Sequence, residues 1–292
     1  MTRKDRQING STKICMVIGD PISHSLSPFL HNAAYEIMGL SEKFVFVAAH
    51  VPPKGLREAI RGIRALNIRG VSVTLPHKSA IIPLLNEVDP LAAKINSANT
   101  IVNDEDCLKG YNTDVEGIIA PLEERTTLTG KRVALLGAGG TARSAAYALQ
   151  AKKCRVKIFN RTRDHAKKLG TELDLPWSGL DTLDALSDFD IVIHSTSVGM
   201  TPQVDKSLIP KMLFRPDQIV FDLVYTPLDT KLLKDAQAQR AETIRGIEMF
   251  LYQAAAQIKL YTGHNAPLEE MRALLSKHFG ARGLASQNGA KS

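Results

Sequence analysis

One segment near the middle of the chain constrains the fold more than any other. Arg132–Leu136 is a short apolar run, Gly137-Ala138-Gly139-Gly140 follows without a break, and Ala142–Gln150 is Ala-rich and helix-forming. A strand, a glycine turn and a helix in that order are the opening of a βαβ unit. A second strand is expected at Val156–Phe159, then others at Ile191–His194 and Ile219–Phe221. Before this series, short β-branched runs at Ile14–Ile18, Phe44–Ala48, Gly70–Val73 and Thr100–Val102 alternate with helical patterns beginning near Pro28, Pro53 and Lys78. That alternation predicts α/β architecture with two open sheets.

With 292 residues, the chain exceeds one average domain. The turn-rich Leu128-Thr129-Gly130 and a connecting helix over Asp114–Glu124 mark the boundary. The expected organisation is 1–113 as a substrate-binding domain, 114–246 as a dinucleotide-binding Rossmann domain, and 247–292 as C-terminal helices returning to the first. Met249, Ala256 and Leu260 suggest a long amphipathic helix ending near Gly263. The Gly- and Ala-rich tail from Gly280 is expected to fray.

Composition excludes several classes. No run reaches the ~18 apolar residues of a spanning helix, and the first dozen residues carry no apolar core of a secretion signal. The expected place of work is therefore the cytoplasm, with no membrane partner. Cys15, Cys107 and Cys154 lie far apart without CxxC spacing, so reduced thiols are expected rather than disulfides or zinc. The excess of 37 Lys+Arg over 30 Asp+Glu is scattered, and aromatics at 5% are too few for a base-stacking platform. Nucleic acid is thus not an expected partner, and small anions are. A homodimer is compatible with the sequence.

Gly137-x-Gly139-x-x-Ala142 matches the dinucleotide fingerprint in its required strand–loop–helix context. Gly137 allows the turn, Gly139 lets a phosphate approach the backbone, and Ala142 keeps helix and strand close. An NAD enzyme places Asp or Glu about 20 residues on, for the ribose 2′-hydroxyl. Here the stretch is Asn160-Arg161-Thr162-Arg163. Arg161 offers a planar, permanent charge suited to a 2′-phosphate, with Arg163 or His165 nearby, so NADP is the expected cofactor.

The fingerprint identifies a cofactor and not a reaction. In the first domain, Ser27 reads as an N-cap and Pro28 as the first helical residue after Gly19–Leu26. Ser25 and Ser27 at that helix start are either a carboxylate receptor or a plain capped terminus. Lys78 follows the Gly70–Val73 strand, where open α/β sheets bind ligands. It is the candidate acid–base group, against the alternative of a solvated charge. Asn99 and Asn112-Thr113-Asp114 flank neighbouring strands. His24, His31 and His77 lack ligand spacing, so no metal is expected and structural hydrogen bonding is. Phe250 is read as core.

Together GDPISHSLSPFLHN, GVSVTLPHK, SANT, YNTD, GAGGTAR, NRT, STSVGM and GIEMFLYQAA, over roughly residues 14–263, resemble the shikimate dehydrogenase family. The resemblance implies reversible, NADP-dependent oxidation of the shikimate C3 hydroxyl to 3-dehydroshikimate, in the route to chorismate and the aromatic amino acids. It makes Lys78 and Asp114 catalytic. It gives Ser25, Ser27 and Tyr225 the carboxylate, and Thr74, Asn99, Asp114 and Gln253 the ring hydroxyls. It puts Gly137, Ala138, Gly139, Gly140 and Thr141 on the pyrophosphate and Asn160, Arg161, Thr162 and Arg163 on the adenosine 2′-phosphate. Ser197, Leu223 and Gly246 fall around the nicotinamide half, and the cleft between the domains is expected to close on substrate. Ser72 departs from a common Asn, His165 from a frequent basic residue and Ser97 from a common Gly. Two alternatives are carried: a quinate/shikimate dehydrogenase using NAD or either cofactor, and a catalytically silent shikimate-binding regulator.

Overall fold

The computed structural model describes residues 8–288. The chain forms two compact units. The first runs to Thr113 and resumes at Gln253, and the second is Asp114–Tyr252.

The first unit contains β1 (Lys13–Gly19), α1 (Ser27–Ile37), β2 (Phe44–His50), α2 (Leu56–Ala65), β3 (Gly70–Val73), β4 (Glu87–Val88), α3 (Pro90–Ile95), β5 (Thr100–Asp104) and β6 (Cys107–Tyr111). Its six-stranded sheet has the order β2-β1-β3-β5-β6-β4. The sheet is mixed: β5 runs antiparallel to both β3 and β6, while β1, β2 and β3 are parallel. The four residues of β3 are all buried, as a strand covered on both faces must be. The β5–β6 hairpin and α3 were not foreseen. Its turn places Glu105 at φ 48° and Asp106 at φ 67°, the two positive values of a tight hairpin turn.

Lys78 does not start a helix as expected. It lies in a turn, and the helical geometry that follows is a 3-10 turn at Ile82–Leu84. Pro83 accounts for this. A helix from Lys78 would hold it in its interior, without an N–H and against the carbonyl of Ser79.

The second unit contains α4 (Asp114–Glu123), β7 (Arg132–Leu136), α5 (Gly140–Ala151), β8 (Arg155–Asn160), α6 (Arg163–Leu173), β9 (Trp177–Gly179), β10 (Ile191–His194), β11 (Ile219–Asp222), α7 (Lys231–Ala238) and β12 (Glu242–Ile244). All its strand pairs are parallel, in the order β12-β11-β10-β7-β8-β9. This is the Rossmann order, with its reversal between β7 and β10. One face packs Leu135, Ile158 and Ile193 against α5, and the other packs Leu136, Val192 and Val220 against α7.

α8 (Gly246–Thr262) begins in the second unit and continues into the first. Its buried positions are Gly246, Phe250, Leu251, Ala254, Gln257, Ile258 and Tyr261. The stripe through Met249, Ala256 and Leu260 is thus displaced. Tyr261 packs so tightly on β3 that a Cβ at Gly70 would come within 2.3 Å of its ring. α9 (Leu268–Asn288) follows, with His278 against Phe29 of α1 at 4.7 Å between rings. α9 continues past Gly280 to Asn288, and 289–292 lie outside the described residues.

Candidate functional site

Strand direction gathers the first unit's candidates. β1 and β3 are parallel, so their carboxyl ends share one edge of the sheet. β5 is antiparallel to β3, with Ser72 opposite Thr100, so its beginning lies at that same edge. The loop after β1, the loop after β3 and Asn99 before β5 therefore adjoin. Backbone bonds lace them together: Asp20 N to Leu75 O at 2.9 Å, Thr74 N to Ile18 O at 3.0 Å, and Ala98 N to Lys78 O at 2.8 Å. Gly19 permits the first approach, since a Cβ there would lie 2.5 Å from the Thr74 methyl.

Lys78 is held through its backbone. The buried His77 ring bonds Val51 O at 2.7 Å, and His77 N donates to Thr74 O at 3.0 Å. Lys78 is half-buried, with its carbonyl bonded to Ala98 N and the preceding residue anchored through both its backbone and its ring.

At the start of α1 the expectation about Ser27 needs correcting. The N-cap is Leu26, without a side-chain cap, and Ser27 is already helical. It is Ser25 whose Oγ receives Ser27 N, at 3.3 Å. Pro28 tolerates this shift, because proline fits anywhere in the first turn of a helix, where its missing N–H has no intrahelical partner to lose. Ser27 is 7% exposed and its hydroxyl makes no bond to the described residues, so two hydroxyls and uncapped N–H groups remain together at an electropositive helix end.

Asn99 is 2% exposed. Its Oδ1 accepts from Thr113 N at 2.8 Å and from Thr100 Oγ1 at 2.8 Å, and its Nδ2 donates to Thr113 Oγ1 at 3.0 Å. Asn112 Nδ2 donates to Ser97 O at 2.8 Å. Gln257 is buried beneath this group and touches Ser72, Thr100 and Asn99 O. It escaped the sequence reading, although its place one helical turn after Gln253 was a usable signal.

Asp114 opens α4 in the second unit and is 3% exposed. Tyr225 stacks on Phe250 with ring centroids 5.5 Å apart, and burial pushes its hydroxyl pKa up. Phe250 is core, as read.

The second unit's glycine loop fits a dinucleotide. Gly137 has φ +124°, and a Cβ there would lie 2.4 Å from Ser195 Oγ, so only glycine serves. A Cβ at Gly139 would meet nothing within 4 Å. The backbone there faces open space, as a phosphate cradle requires, and α5 begins without a side-chain cap. Ser195 was not anticipated: its Oγ donates to Leu136 O at 2.7 Å and holds the loop. Thr141 lies in the first turn of α5.

Beyond β8, Asn160 Nδ2 donates to Thr162 O at 2.9 Å. Arg163 is ion-paired to Asp181 at 2.5 Å. Arg161 is exposed and has no hydrogen-bond or ion-pair partner among the described residues. Past β10 and β11, Leu223 N bonds His194 O at 2.9 Å, Ser197 is exposed, and a Cβ at Gly246 would strike Leu223 O and Val224 O.

No group of three or more metal-ligating side chains occurs among the described residues, and no helix among them is long and apolar enough to cross a membrane. His77 is hydrogen-bonded as expected. His31 is not: neither ring nitrogen has a bond of good geometry, and the ring stacks on Phe46 at 4.0 Å instead. The three cysteines are free thiols.

Family models match along the chain: the shikimate dehydrogenase substrate binding domain over residues 17–101, shikimate/quinate 5-dehydrogenase over 121–234, and the shikimate 5′-dehydrogenase C-terminal domain over 246–275. A shikimate dehydrogenase (NADP(+)) of Moorella thermoacetica is 43% identical over 286 residues, covering 94% of this chain and 96% of that one. One from Pyrococcus furiosus is 42% identical over 266 residues, covering 91% and 96%. The solved shikimate 5-dehydrogenase of Thermus thermophilus, in complex with NADP(H) and shikimate, superposes with a TM-score of 0.83 at 32% identity, covering 89% of this chain and 97% of that one.

Proposed function

Because the chain belongs to the shikimate dehydrogenase family, we propose that it interconverts shikimate and 3-dehydroshikimate reversibly with NADP, as an oxidoreductase of chorismate and aromatic amino acid biosynthesis. The observation that carries this reading is the edge of the first sheet, where the main chain of Lys78 is bonded to that of Ala98, next to Asn99, and joined through Thr74 to the loop bearing Ser25 and Ser27.

Each residue then has a task. Ser25 and Ser27 hold the carboxylate at the uncapped helix start, with Tyr225 adding a hydroxyl. Thr74, Asn99, Asp114 and Gln253 hydrogen-bond the ring hydroxyls and so fix which carbon faces the cofactor. Lys78, unprotonated, takes the C3 hydroxyl proton at Nζ as hydride leaves that carbon; in the reductive direction its ammonium returns the proton to the oxygen. Asp114 acts beside Lys78 as the second catalytic residue, its carboxylate orienting the ammonium toward that oxygen. NADP, when bound, supplies the hydride acceptor or donor. Gly137–Thr141 hold its pyrophosphate, Asn160–Arg163 its 2′-phosphate, and Ser197, Leu223 and Gly246 border the nicotinamide half. Arg161, with no partner among the described residues, is the main 2′-phosphate group. The enzyme works in the cytoplasm on small molecules, without nucleic acid, as a monomer or homodimer.

Absorbance at 340 nm with shikimate and NADP tests the assignment. Quinate and NAD are the comparison arms, and a higher kcat/KM with quinate and NAD would replace both substrate and cofactor. Absence of turnover with tight shikimate binding would instead make the protein a regulator.

A further inference from the structure

Arg163 and Asp181 form an ion pair at the edge of the second sheet to which the 2′-phosphate is assigned. β8 and β9 are parallel, and Asn160, the last residue of β8, lies opposite Gly179, the last of β9. Both segments therefore leave the sheet at its carboxyl edge, one into Arg161-Thr162-Arg163 and the other into Leu180-Asp181. Arg163 Nη2 donates to Asp181 Oδ2 at 2.5 Å. The pair rests on the strand beneath it: a Cβ at Gly179 would strike Asp181 Oδ1 and lie 2.7 Å from Arg163 Nε. The missing side chain at 179 lets the two groups settle over the backbone. Thr182 Oγ1 donates to Gly179 O at 3.0 Å, which closes the turn that carries Asp181.

Arg161, two residues before Arg163, is exposed and has no hydrogen-bond or ion-pair partner among the described residues. Of two guanidinium groups on one short loop, one is open to an anion and the other is held by a carboxylate of the same chain. Asp181 works against an anion there, chiefly by occupying the fork of Arg163 and to a lesser degree by its own charge. The two side chains are 62% and 60% exposed, and an ion pair so open to water is held weakly. The tie therefore lowers the availability of Arg163 without abolishing it.

We propose that Asp181 is a positioning residue that withholds Arg163 from the 2′-phosphate and so limits how strongly the site prefers NADP to NAD. The proposal rests on the assignment of that phosphate to Asn160–Arg163. The two cofactors differ only in the 2′-phosphate, so a group that governs Arg163 weighs on NADP and leaves NAD almost untouched. Screening over about 8 Å in physiological salt keeps the reach of the carboxylate short. In an NAD-type site an acid at the end of the second strand receives the ribose 2′-hydroxyl. Here the acid stands in the turn after the neighbouring strand, and it holds an arginine instead.

The test compares wild type with Asp181→Asn, Arg163→Ala and the double variant, by steady-state KM and by calorimetric Kd for NADP and for NAD. Asn keeps the shape and loses the charge, and both positions are exposed, so folding is not endangered. Freeing a guanidinium from an exposed ion pair and removing a like charge are together worth about 3- to 10-fold in an equilibrium. Asp181→Asn is expected to lower KM and Kd for NADP by about that factor, with both constants for NAD unaltered. A substitution that merely loosened the turn would raise them. In the Arg163→Ala background the gain should be mostly lost, and Asp181→Glu, which restores the charge, should return the wild-type values. NADP affinity unchanged or weakened by Asp181→Asn, a gain shared by NAD, or a gain mostly retained without Arg163 overturns the proposal. Arg161→Ala without effect on NADP binding would instead fault the phosphate assignment beneath it, so the two failures are distinct.

Discussion

Nδ1 of His194 lies 2.8 Å from Oδ1 of Asp222, and the two side chains are 1% and 0% exposed. The same carboxylate accepts from Val224 N at 3.0 Å and from Thr230 Oγ1 at 2.5 Å, while His194 Nε2 meets Thr196 Oγ1 at 2.5 Å. Asp222 thus ties the ends of β10 and β11 to the loops bearing Ser197 and Leu223. Asp222→Ala strands these buried partners and is expected to cost about 3–5 kcal/mol of stability. Urea denaturation of the second unit, compared with wild type, measures it, and an unchanged midpoint would dismiss the tie.

Lys78→Ala is expected to lower kcat by about 10²- to 10⁴-fold. Shikimate binding should persist, because the other hydrogen-bonding groups remain. Near-wild-type turnover in this variant would remove Lys78 from the proton transfer.

Arg161 and Arg163 differ in engagement, and the phosphate should feel it. Arg161→Ala is expected to raise KM for NADP by roughly 10- to 100-fold, the worth of a charged hydrogen bond, with KM for NAD unaltered. Arg163 is already paired with Asp181, so its Ala variant should change KM for NADP less. Equal effects would place both guanidinium groups on the phosphate.

Burial pushes the His31 pKa down from 6.5 to about 3, against a weak opposing pull from Gln257. Unfolded, the imidazole takes up a proton below about pH 6.5; folded, it refuses one until about pH 3. The unfolded state therefore binds more protons in that window. Stability contributed by neutral burial is complete above the unfolded pKa and declines as pH falls, by up to ~1.4 kcal/mol per pH unit. His31→Phe retains stacking on Phe46 and should flatten the dependence of Tm on pH between 6 and 4. An undiminished slope would trace the acid sensitivity to other groups.

Thiol titration offers an independent check on packing. Burial raises Cys15 to about 12 and Cys154 to about 11. A disulfide reagent at pH 8 should modify Cys107 alone in the native protein, and all three after denaturation. Native reaction at Cys15 would contradict its burial.

The Rossmann half was readable because its signals are local. A buried β-branched run, a glycine turn and an Ala-rich helix each lie within a few residues, and β7 and β10 occur where their apolar runs begin and end. The first unit was harder where structure depends on distant partners. The polar Asn103–Asp106 stretch gave a turn signal, but the direction of β5 follows from pairing with β3, some thirty residues away. Lys78 and Asn99 were visible as residue types beside strands. Gln257 was hidden because a glutamine on a helix usually faces water, and only Ser72 and Thr100 reveal that this one does not. The misplaced stripe of α8 has the same origin: a polar residue sits in its buried face.

The hairpin of β5 and β6 leaves the ligand edge and comes back to it, with Thr100 opposite Tyr111. Its turn at Glu105 and Asp106 lies at the far end of the sheet. Asn99 and Thr113, which are hydrogen-bonded to one another, are thereby the two stems of one loop-out. Extra sequence grafted at the tip would lengthen the ribbon away from the chemistry, which makes this turn a natural attachment point for a reporter or an immobilising tag on a working enzyme.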